Sequence, residues 1–277
     1  MRLYVDTVMH IEPFHIEDIP AFLELAAAER WVAESWEFDF LLSSFPDGCF
    51  RARDRAGNIV GFATSLRHEC SGWIGNLIVG KEYRDRGIGR RLFLRTLDAL
   101  RESGAETFWL TASKLGKLLY EKHGFACIDT IIRWTGSGKG LAVAMPGCTG
   151  AADSDLDRLG WGDQREKLLA IARERGYALA ADGAFAIVQP CCAAAQIGPF
   201  AALNAREAAL LLDAAIAAIP AEKKIYIDAP AGNADAERLL IKRGFVRQGT
   251  NELMYAGVKP AFRPEFIYGL GSMGSMG

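Results

Sequence analysis

The chain has 277 residues, half of them hydrophobic and 24% charged, which is enough apolar material for two cores of ordinary domain size. Its formal net charge of −2 excludes the broad basic field typical of proteins that bind nucleic acid. Arg2 and Asp6 interrupt the first apolar run, and the apolar stretch 208–219 is too short to span a bilayer. We therefore expect a cytoplasmic protein with no membrane or nucleic-acid partner.

The six cysteines and four histidines are scattered along the sequence. No two cysteines form a Cys-x-x-Cys pair, and no histidine stands at a spacing typical of a metal site. We therefore expect no metal site, and free thiols at Cys49, Cys70, Cys127, Cys148, Cys191 and Cys192.

The amino-terminal part of the chain predicts a helix and then a hairpin. Apolar residues recur at helical spacing over 15–28, while 49–53 and 59–66 are typical of two strands joined at 56–58. An aromatic run between them either lines an acceptor pocket or packs in the core, and core packing is the more usual role for each residue taken singly. The run consists of Trp31, Trp36, Phe38, Phe40 and Phe45.

The next strand, over 73–79, leads into an Arg-x-x-Gly-x-Gly turn that opens directly into a helix. Gly87 and Gly89 let the backbone approach a ligand, and the first helical turn offers unpaired N–H groups and a positive dipole. The turn therefore predicts a pyrophosphate site, and the alternative is an ordinary connection with solvated arginines. Neither the dinucleotide fingerprint nor the P-loop pattern is present, and 136–140 predicts a hairpin turn or linker.

A second motif follows this helix, and the two motifs together resemble those of the GNAT acyltransferases. Arg84, Gly87 and Gly89 fit the first motif of that family. Ser113 and Gly116 replace the Asn and Ala that are usual in the second. The second motif is matched by Leu119, Tyr120, Gly124 and Phe125. The resemblance implies an α/β fold with a mixed (α+β) sheet, and acetyl-CoA as the acyl donor.

The resemblance also implies which residues hold acetyl-CoA. The end of the strand offers its backbone to the pantetheine arm, and the turn offers N–H groups to the pyrophosphate. The expected cofactor-binding residues are Ile78, Val79, Arg84, Arg86, Gly87, Ile88, Gly89, Arg90, Ser113, Gly116 and Tyr120.

The implied activity is transfer of an acetyl group from acetyl-CoA to a primary amine of a small molecule, by direct attack in a ternary complex. Tyr120 is the expected acid for the leaving sulfur. Glu69 is the expected base by position, and Glu34, His68 or a relayed water remain open. A non-catalytic acyl-CoA-binding sensor is the alternative function. The near-neutral charge disfavours an acetyltransferase that acts on DNA-bound partners.

The sequence also contains an internal repeat, because a shift of 120 positions returns the pattern of about 74–134. The second copy restores Asn233 and Ala236 in the second motif, but Leu240 stands opposite Tyr120. In the turn, Arg84, Gly87 and Gly89 are replaced by Asn204, Glu207 and Ala209. The second half therefore resembles a degenerate GNAT domain that keeps the fold and loses the cofactor site.

Glycines and prolines punctuate 134–150, which predicts a boundary between two tandem GNAT-like domains. We expect an acetyl-CoA-binding domain over 1–140, the degenerate domain over 150–270, and a flexible tail over 271–277. Since the repeat already forms an internal pseudo-dimer, a monomer is favoured. Predicted elements of the second domain are helices over 163–176 and 205–219 and strands over 184–188 and 225–228.

Overall fold

The computed structural model describes residues 9–141 and 150–277. Arg2, Asp6 and Cys148, which entered the sequence predictions, lie outside these ranges. The strands are β1 His10–Pro13, β2 Phe50–Arg53, β3 Ile59–Arg67, β4 Ser71–Val79, β5 Thr107–Ala112, β6 Ala126–Ser137, β7 Tyr177–Ala181, β8 Ala184–Cys191, β9 Ala194–Ala202, β10 Lys224–Pro230, β11 Val246–Gly257 and β12 Ile267–Gly269. The helices are α1 Ile19–Ala28, α2 Ser35–Ser44, α3 Ile88–Glu102, α4 Lys117–Glu121, α5 Gly150–Trp161, α6 Glu166–Arg175, α7 Ala205–Ala218 and α8 Ala234–Lys242. Within the described ranges, every helix is too short or too polar to traverse a lipid bilayer.

All twelve strands belong to one sheet, in the order β1-β2-β3-β4-β5-β11-β6-β10-β9-β8-β7, with β12 paired to β9. β11, from the second half, is inserted between β5 and β6 of the first half. In return, β6 pairs with β10 of the second half. This confirms the mixed α/β fold with two tandem halves. It also shows that the domains predicted over 1–140 and 150–270 share one continuous sheet.

Several predicted elements differ at their ends from the observed ones. The helix predicted over 15–28 is a 3-10 turn at Ile16–Asp18 followed by α1, and the helix predicted over 163–176 is α6. Trp36, Phe38 and Phe40 of the aromatic run lie on α2, a helix that the sequence did not predict. Phe38 and Leu41 are fully buried on one side of α2, since they lie one helical turn apart. The alternation of aromatic and acidic residues hid this helical spacing.

The segment 271–277, predicted to be a flexible tail, is instead packed inside the molecule. Met276 is 1% exposed and belongs to an apolar cluster with residues of α1, α2 and β3. The Met276 N–H donates to Ser272 Oγ at 2.8 Å, and the Ser272 N–H donates to the Gly277 carbonyl at 2.9 Å. The prediction rested on low-complexity composition, but glycine and serine also fit a narrow space in which the backbone finds hydrogen-bond partners.

Candidate active site

A gap opens between β4 and β5 halfway along β4. The two parallel strands pair from Ser71 to Ile74 on β4, and the pairing ends there. On the other edge, the register of β4 with β3 shifts between Gly75 and Ile78, and Asn76 within this bulge has a positive φ of 53°. A bulge bends a strand and increases its twist. The carboxyl end of β4 therefore diverges from β5 and leaves one backbone edge unpaired.

The amino terminus of α3 begins next to this gap. Gly87 precedes the helix with a left-handed φ of 76° and has no side chain to cap the first turn. The N–H groups of that turn have no partner within the helix. A Cβ built at Gly87 meets nothing within 4 Å, so a ligand can approach the backbone there. The Ile88 side chain is buried in the core, which leaves only its backbone to face the gap.

The predicted arginines of the turn have unequal surroundings. Arg84 binds Glu29 through Nη2 at 2.7 Å and donates from Nε to the Val79 carbonyl at 3.0 Å. Arg86 donates to the Glu82 carbonyl at 2.8 Å. Both side chains therefore brace the turn, whereas Arg90 is exposed on the first turn of α3.

The second motif lies on the other side of the gap, where β5 leads into α4. The Gly116 N–H donates to Ser113 Oγ at 3.3 Å, which closes the turn before the helix. Tyr120 on α4 packs edge-on against Phe93 at 5.2 Å between ring centroids. A Cβ at Gly116 would lie 3.0 Å from the Tyr120 ring, so glycine makes room for the ring. Burial raises the pKa of Tyr120 to about 12.

A cavity of about 360 Å³ lies between the β4 bulge and the second motif and extends towards the second half. Its walls come from the loop after α1, from α2, from the β4 bulge and from the strands β6, β10 and β11. The residues that face it include Glu37, Asn76, Ser113, Tyr120, Tyr226 and Asn251. Trp31 also lies on this cavity, whereas Phe38 of the same aromatic run lies in the core.

Glu37 on α2 is a functional candidate that the sequence analysis missed. Its carboxylate is buried, and Asn76 Nδ2 donates to Oε1 at 2.7 Å. Burial raises the pKa of Glu37, while hydrogen bonds from Asn76 and Ser275 oppose this rise. A signal was available, because an acidic residue between two aromatic residues in an apolar run is unusual for a buried helix.

The structure does not bring the predicted base Glu69 to Tyr120. Glu69 is exposed in the turn between β3 and β4, next to Cys70 and Asp163, at the opposite end of β4 from the bulge. His68 is buried, and desolvation lowers its pKa to about 3. Glu34 accepts a hydrogen bond from the Trp36 ring at 3.4 Å and lies outside the cavity that contains Tyr120. The structure therefore gives Glu69 no place at the cavity of Tyr120, and the carboxylate that lines this cavity is Glu37.

The equivalent site in the second half is filled by the chain itself. Asn204 precedes α7 as Gly87 precedes α3, so it stands opposite Gly87 and not opposite Arg84 as the repeat predicted. Its side chain accepts from the N–H groups of Arg206 and Glu207, which occupies the donors that remain free at α3. Asn233, the asparagine that the repeat restores, donates to the Ile267 carbonyl at 2.9 Å.

The strand that Asn233 holds is β12, which runs beside β9. The Leu270 N–H that follows it donates to the Asp228 carbonyl on β10 at 2.8 Å. Segment 267–270 thus lies between the two strands whose counterparts in the first half leave the gap. Leu240, the counterpart of Tyr120, is buried in the core. Both observations agree with loss of the cofactor site in the second half.

Comparisons with known proteins match both halves to one family. Residues 46–127 match a model described as an acetyltransferase (GNAT) domain, and residues 154–269 match a second model with the same description. Together these matches cover more than half of the chain. No curated protein matches it.

Solved structures share the whole fold. An acetyltransferase candidate from Pyrococcus horikoshii superposes with a TM-score of 0.84 at 24% identity, covering 100% of this chain and 98% of that one. A GCN5-related N-acetyltransferase from Sphaerobacter thermophilus superposes with a TM-score of 0.66 at 17% identity, covering 92% of this chain and 98% of that one. At these identities the likeness concerns the fold.

Proposed function

This chain belongs to the GNAT acetyltransferases, and from that premise we propose that it moves an acetyl group from acetyl-CoA to a primary amine of a small molecule. The proposal includes direct attack of the amine in a ternary complex. The observation that carries it is that one cavity is lined by a buried carboxylate, Glu37, and by a buried phenol, Tyr120. These are the two groups that such a transfer requires, a base and an acid.

The first half fits acetyl-CoA. The free N–H groups before and within the first turn of α3 suit a pyrophosphate, with open space at Gly87 for its approach. The edge of β4 near Ile78 and Val79 has no strand partner from β5, and apart from the Val79 carbonyl, which accepts from Arg84, it suits the amide groups of the pantetheine arm. Arg84 and Arg86 shape the turn, and Arg90 is exposed on the first turn of α3. Acetyl-CoA bound in this way supplies the activated acetyl group.

The residues of the cavity divide the proton transfers between them. An amine must lose a proton before or during its attack, and the Glu37 carboxylate accepts that proton. Burial moves the pKa of this carboxylate towards neutral pH, which makes it a stronger base than an exposed glutamate. Tyr120 remains protonated because its pKa is about 12, and it donates to the sulfur that leaves.

The size and composition of the cavity favour a small acceptor. A volume of about 360 Å³ falls within the range of small-molecule pockets. The second half closes one side with Tyr226 and Asn251, whose hydroxyl and amide groups can orient a polar molecule. We extend the proposal to a monomer in the cytoplasm, as the sequence predicts, and sedimentation of the purified chain tests the monomer.

The test begins with calorimetric titration of the purified protein with acetyl-CoA, followed by a screen of amines that records CoA release. We expect one binding site per chain and turnover with at least one class of small amine. Binding without turnover on amino acids, aminosugars and polyamines would favour the acyl-CoA sensor. Absence of binding would overturn the proposal, and two sites would show that the second half keeps its cofactor site.

A further inference from the structure

The segment that follows β12 crosses from the second half to the active site of the first half. Two consecutive carbonyls of this segment are held by side chains of the first half. Arg133 Nη2 donates to the Met273 carbonyl at 3.0 Å. Trp73 Nε1 and Thr111 Oγ1 donate to the Gly274 carbonyl at 3.1 and 3.2 Å. These three hydrogen bonds fix the backbone immediately before Ser275.

Close packing fixes the backbone at Ser275 itself. A Cβ built at Gly75 on β4 would lie 2.3 Å from the Ser275 carbonyl oxygen, so the two backbones are in direct contact. The next residue, Met276, is buried in an apolar cluster that includes Phe38 and Leu41 of α2. Ser275 is therefore held between an anchor on the sheet and an anchor on the helix that carries Glu37.

The Ser275 side chain points to the proposed base. Ser275 is 8% exposed and faces the same cavity as Glu37 and Tyr120. The Ser275 side chain lowers the pKa of Glu37, and Glu37 Oε1 accepts a hydrogen bond from Asn76. The carboxylate thus has the Asn76 amide of β4 on one side and shares the cavity with the Ser275 hydroxyl of the second half.

We propose that Ser275 is a positioning residue for acetyl transfer, so that the half without a cofactor site completes the active site of the other half. This inference rests on the proposed function and assigns to that site one further residue. Ser275 acts through Glu37: its hydroxyl donates to the carboxylate, keeps it ionised and aims its free lone pairs at the amine. The degenerate half therefore contributes to catalysis through the segment that follows β12.

Other charged groups also act on Glu37, and the test must leave them unchanged. Glu34, in the loop before α2, raises the pKa of Glu37, and Arg175 at the end of α6 lowers it. Neither residue contacts the backbone of segment 273–276 through a hydrogen bond in the described part of the chain. Substitution at Ser275 therefore changes one of the donors without removing either charge.

The experiment compares Ser275→Ala with Ser275→Thr, which keeps the hydroxyl, and with Ser43→Ala, an exposed serine on α2. Loss of one hydrogen bond to the Glu37 carboxylate should raise the pKa of Glu37 by about one unit. We expect the acidic limb of the kcat/KM profile to move up by about one pH unit in Ser275→Ala. The KM for acetyl-CoA stays unchanged. Ser275→Thr keeps the wild-type limb, and Ser43→Ala does not move it.

A second readout does not depend on activity. The carbon-13 shift of the Glu37 carboxyl carbon, assigned with Glu37→Gln, reports its pKa directly in the folded protein. A higher pKa in Ser275→Ala supports the inference even if no acceptor has been found. An unchanged carboxyl pKa in folded Ser275→Ala overturns it. Failure of the proposed function is distinct, since it appears as absence of acetyl-CoA binding or of turnover in the wild-type protein.

Discussion

Asn76 on β4 donates a hydrogen bond of 2.7 Å to the carboxylate of Glu37 on α2. Asn76 stands at the bulge with a φ of 53°, a left-handed conformation that asparagine adopts more readily than most residues. The bulge that separates β4 from β5 therefore also directs an amide towards the buried carboxylate. Opening of the cofactor gap and placement of the base depend on the same few residues.

Replacement of Glu37 by glutamine tests the base. The substitution keeps the shape of the side chain and removes the group that accepts the amine proton. We expect kcat to fall by about 10²- to 10³-fold, within the range that general base catalysis contributes. The affinity for acetyl-CoA, measured by calorimetry, stays the same because the proposed pyrophosphate site lies at the start of α3 and Glu37 lies on α2.

Glu34→Gln is the matched control for this variant. Glu34 lies three residues earlier, in the loop before α2, and is not among the residues that face the cavity of Tyr120. It raises the pKa of Glu37 by charge repulsion, so its removal lowers that pKa slightly and shifts the acidic limb of the pH profile down. Equal losses of kcat in the two variants would contradict the assignment of Glu37.

Tyr120→Phe tests the acid. The ring is held by Phe93 and Phe125, so removal of the hydroxyl leaves the packing in place. We expect turnover to fall by about 10²-fold with acetyl-CoA affinity nearly unchanged. An acyl donor whose thiol has a low pKa should recover part of the loss, because its sulfur leaves without a proton. Unaltered turnover with acetyl-CoA would remove Tyr120 from the mechanism.

Local sequence patterns predicted the cofactor half of the site. Strand, turn and helix follow one another within 73–100, and short-range spacing alone puts Gly87 at the start of α3. The sequence also predicted loss of the second cofactor site, since Glu207 and Ala209 replace the two glycines and Leu240 cannot donate a proton.

The residues around the acceptor cavity could not be predicted in the same way. Glu37 and Ser275 are more than 200 residues apart and come to one cavity because the segment after β12 crosses from the second half to β4 and α2. Neither residue stands in a motif, and Ser275 lies in a stretch whose composition is typical of a flexible tail. Such pairing over long sequence separation is a property of the tertiary fold.

The buried His68 makes the free energy of unfolding depend on pH. Its imidazole is buried and neutral, with a pKa of about 3 against an ordinary value of 6.5. The unfolded chain binds a proton between these values and the folded chain does not, so stability is lost as pH falls through this window. Between pH 7 and pH 5 this linkage removes about 2 kcal/mol of the free energy of unfolding, so we expect the loss measured by urea unfolding at these two pH values to be about 2 kcal/mol smaller in His68→Gln. An unchanged loss in His68→Gln would contradict this account of the buried imidazole.

Asn204→Ala separates the cap of α7 from cofactor binding. The Asn204 side chain accepts from two N–H groups, and loss of such a cap costs about 1 kcal/mol of the free energy of unfolding. The freed donors do not create a second acetyl-CoA site, because segment 267–270 still fills the gap between β9 and β10. Calorimetry should again give one site per chain, and a second site in this variant would contradict our account of the degenerate half.

Gly87→Ala and Gly104→Ala together test the pyrophosphate site at the start of α3, because the two glycines stand at opposite ends of that helix. Their φ values are 76° and 80°, and a Cβ on either meets nothing within 4 Å. Alanine in this left-handed region costs about 1–2 kcal/mol at each position. Thermal unfolding should therefore show similar destabilisation of the two variants.

Of these two variants, only Gly87→Ala is expected to weaken acetyl-CoA binding. Its new methyl group would occupy open space in front of the first turn of α3, where the pyrophosphate approaches, whereas Gly104 lies at the far end of the helix. We expect the Kd to rise about tenfold, equivalent to about 1.4 kcal/mol. Gly89→Ala adds a methyl group near the same turn without backbone strain, because its Cβ makes an ordinary 3.6 Å contact with Val79 and needs no positive φ. Weaker binding in that unstrained variant assigns the effect to lost approach of the phosphate, and equal affinities in all three variants would place the cofactor elsewhere.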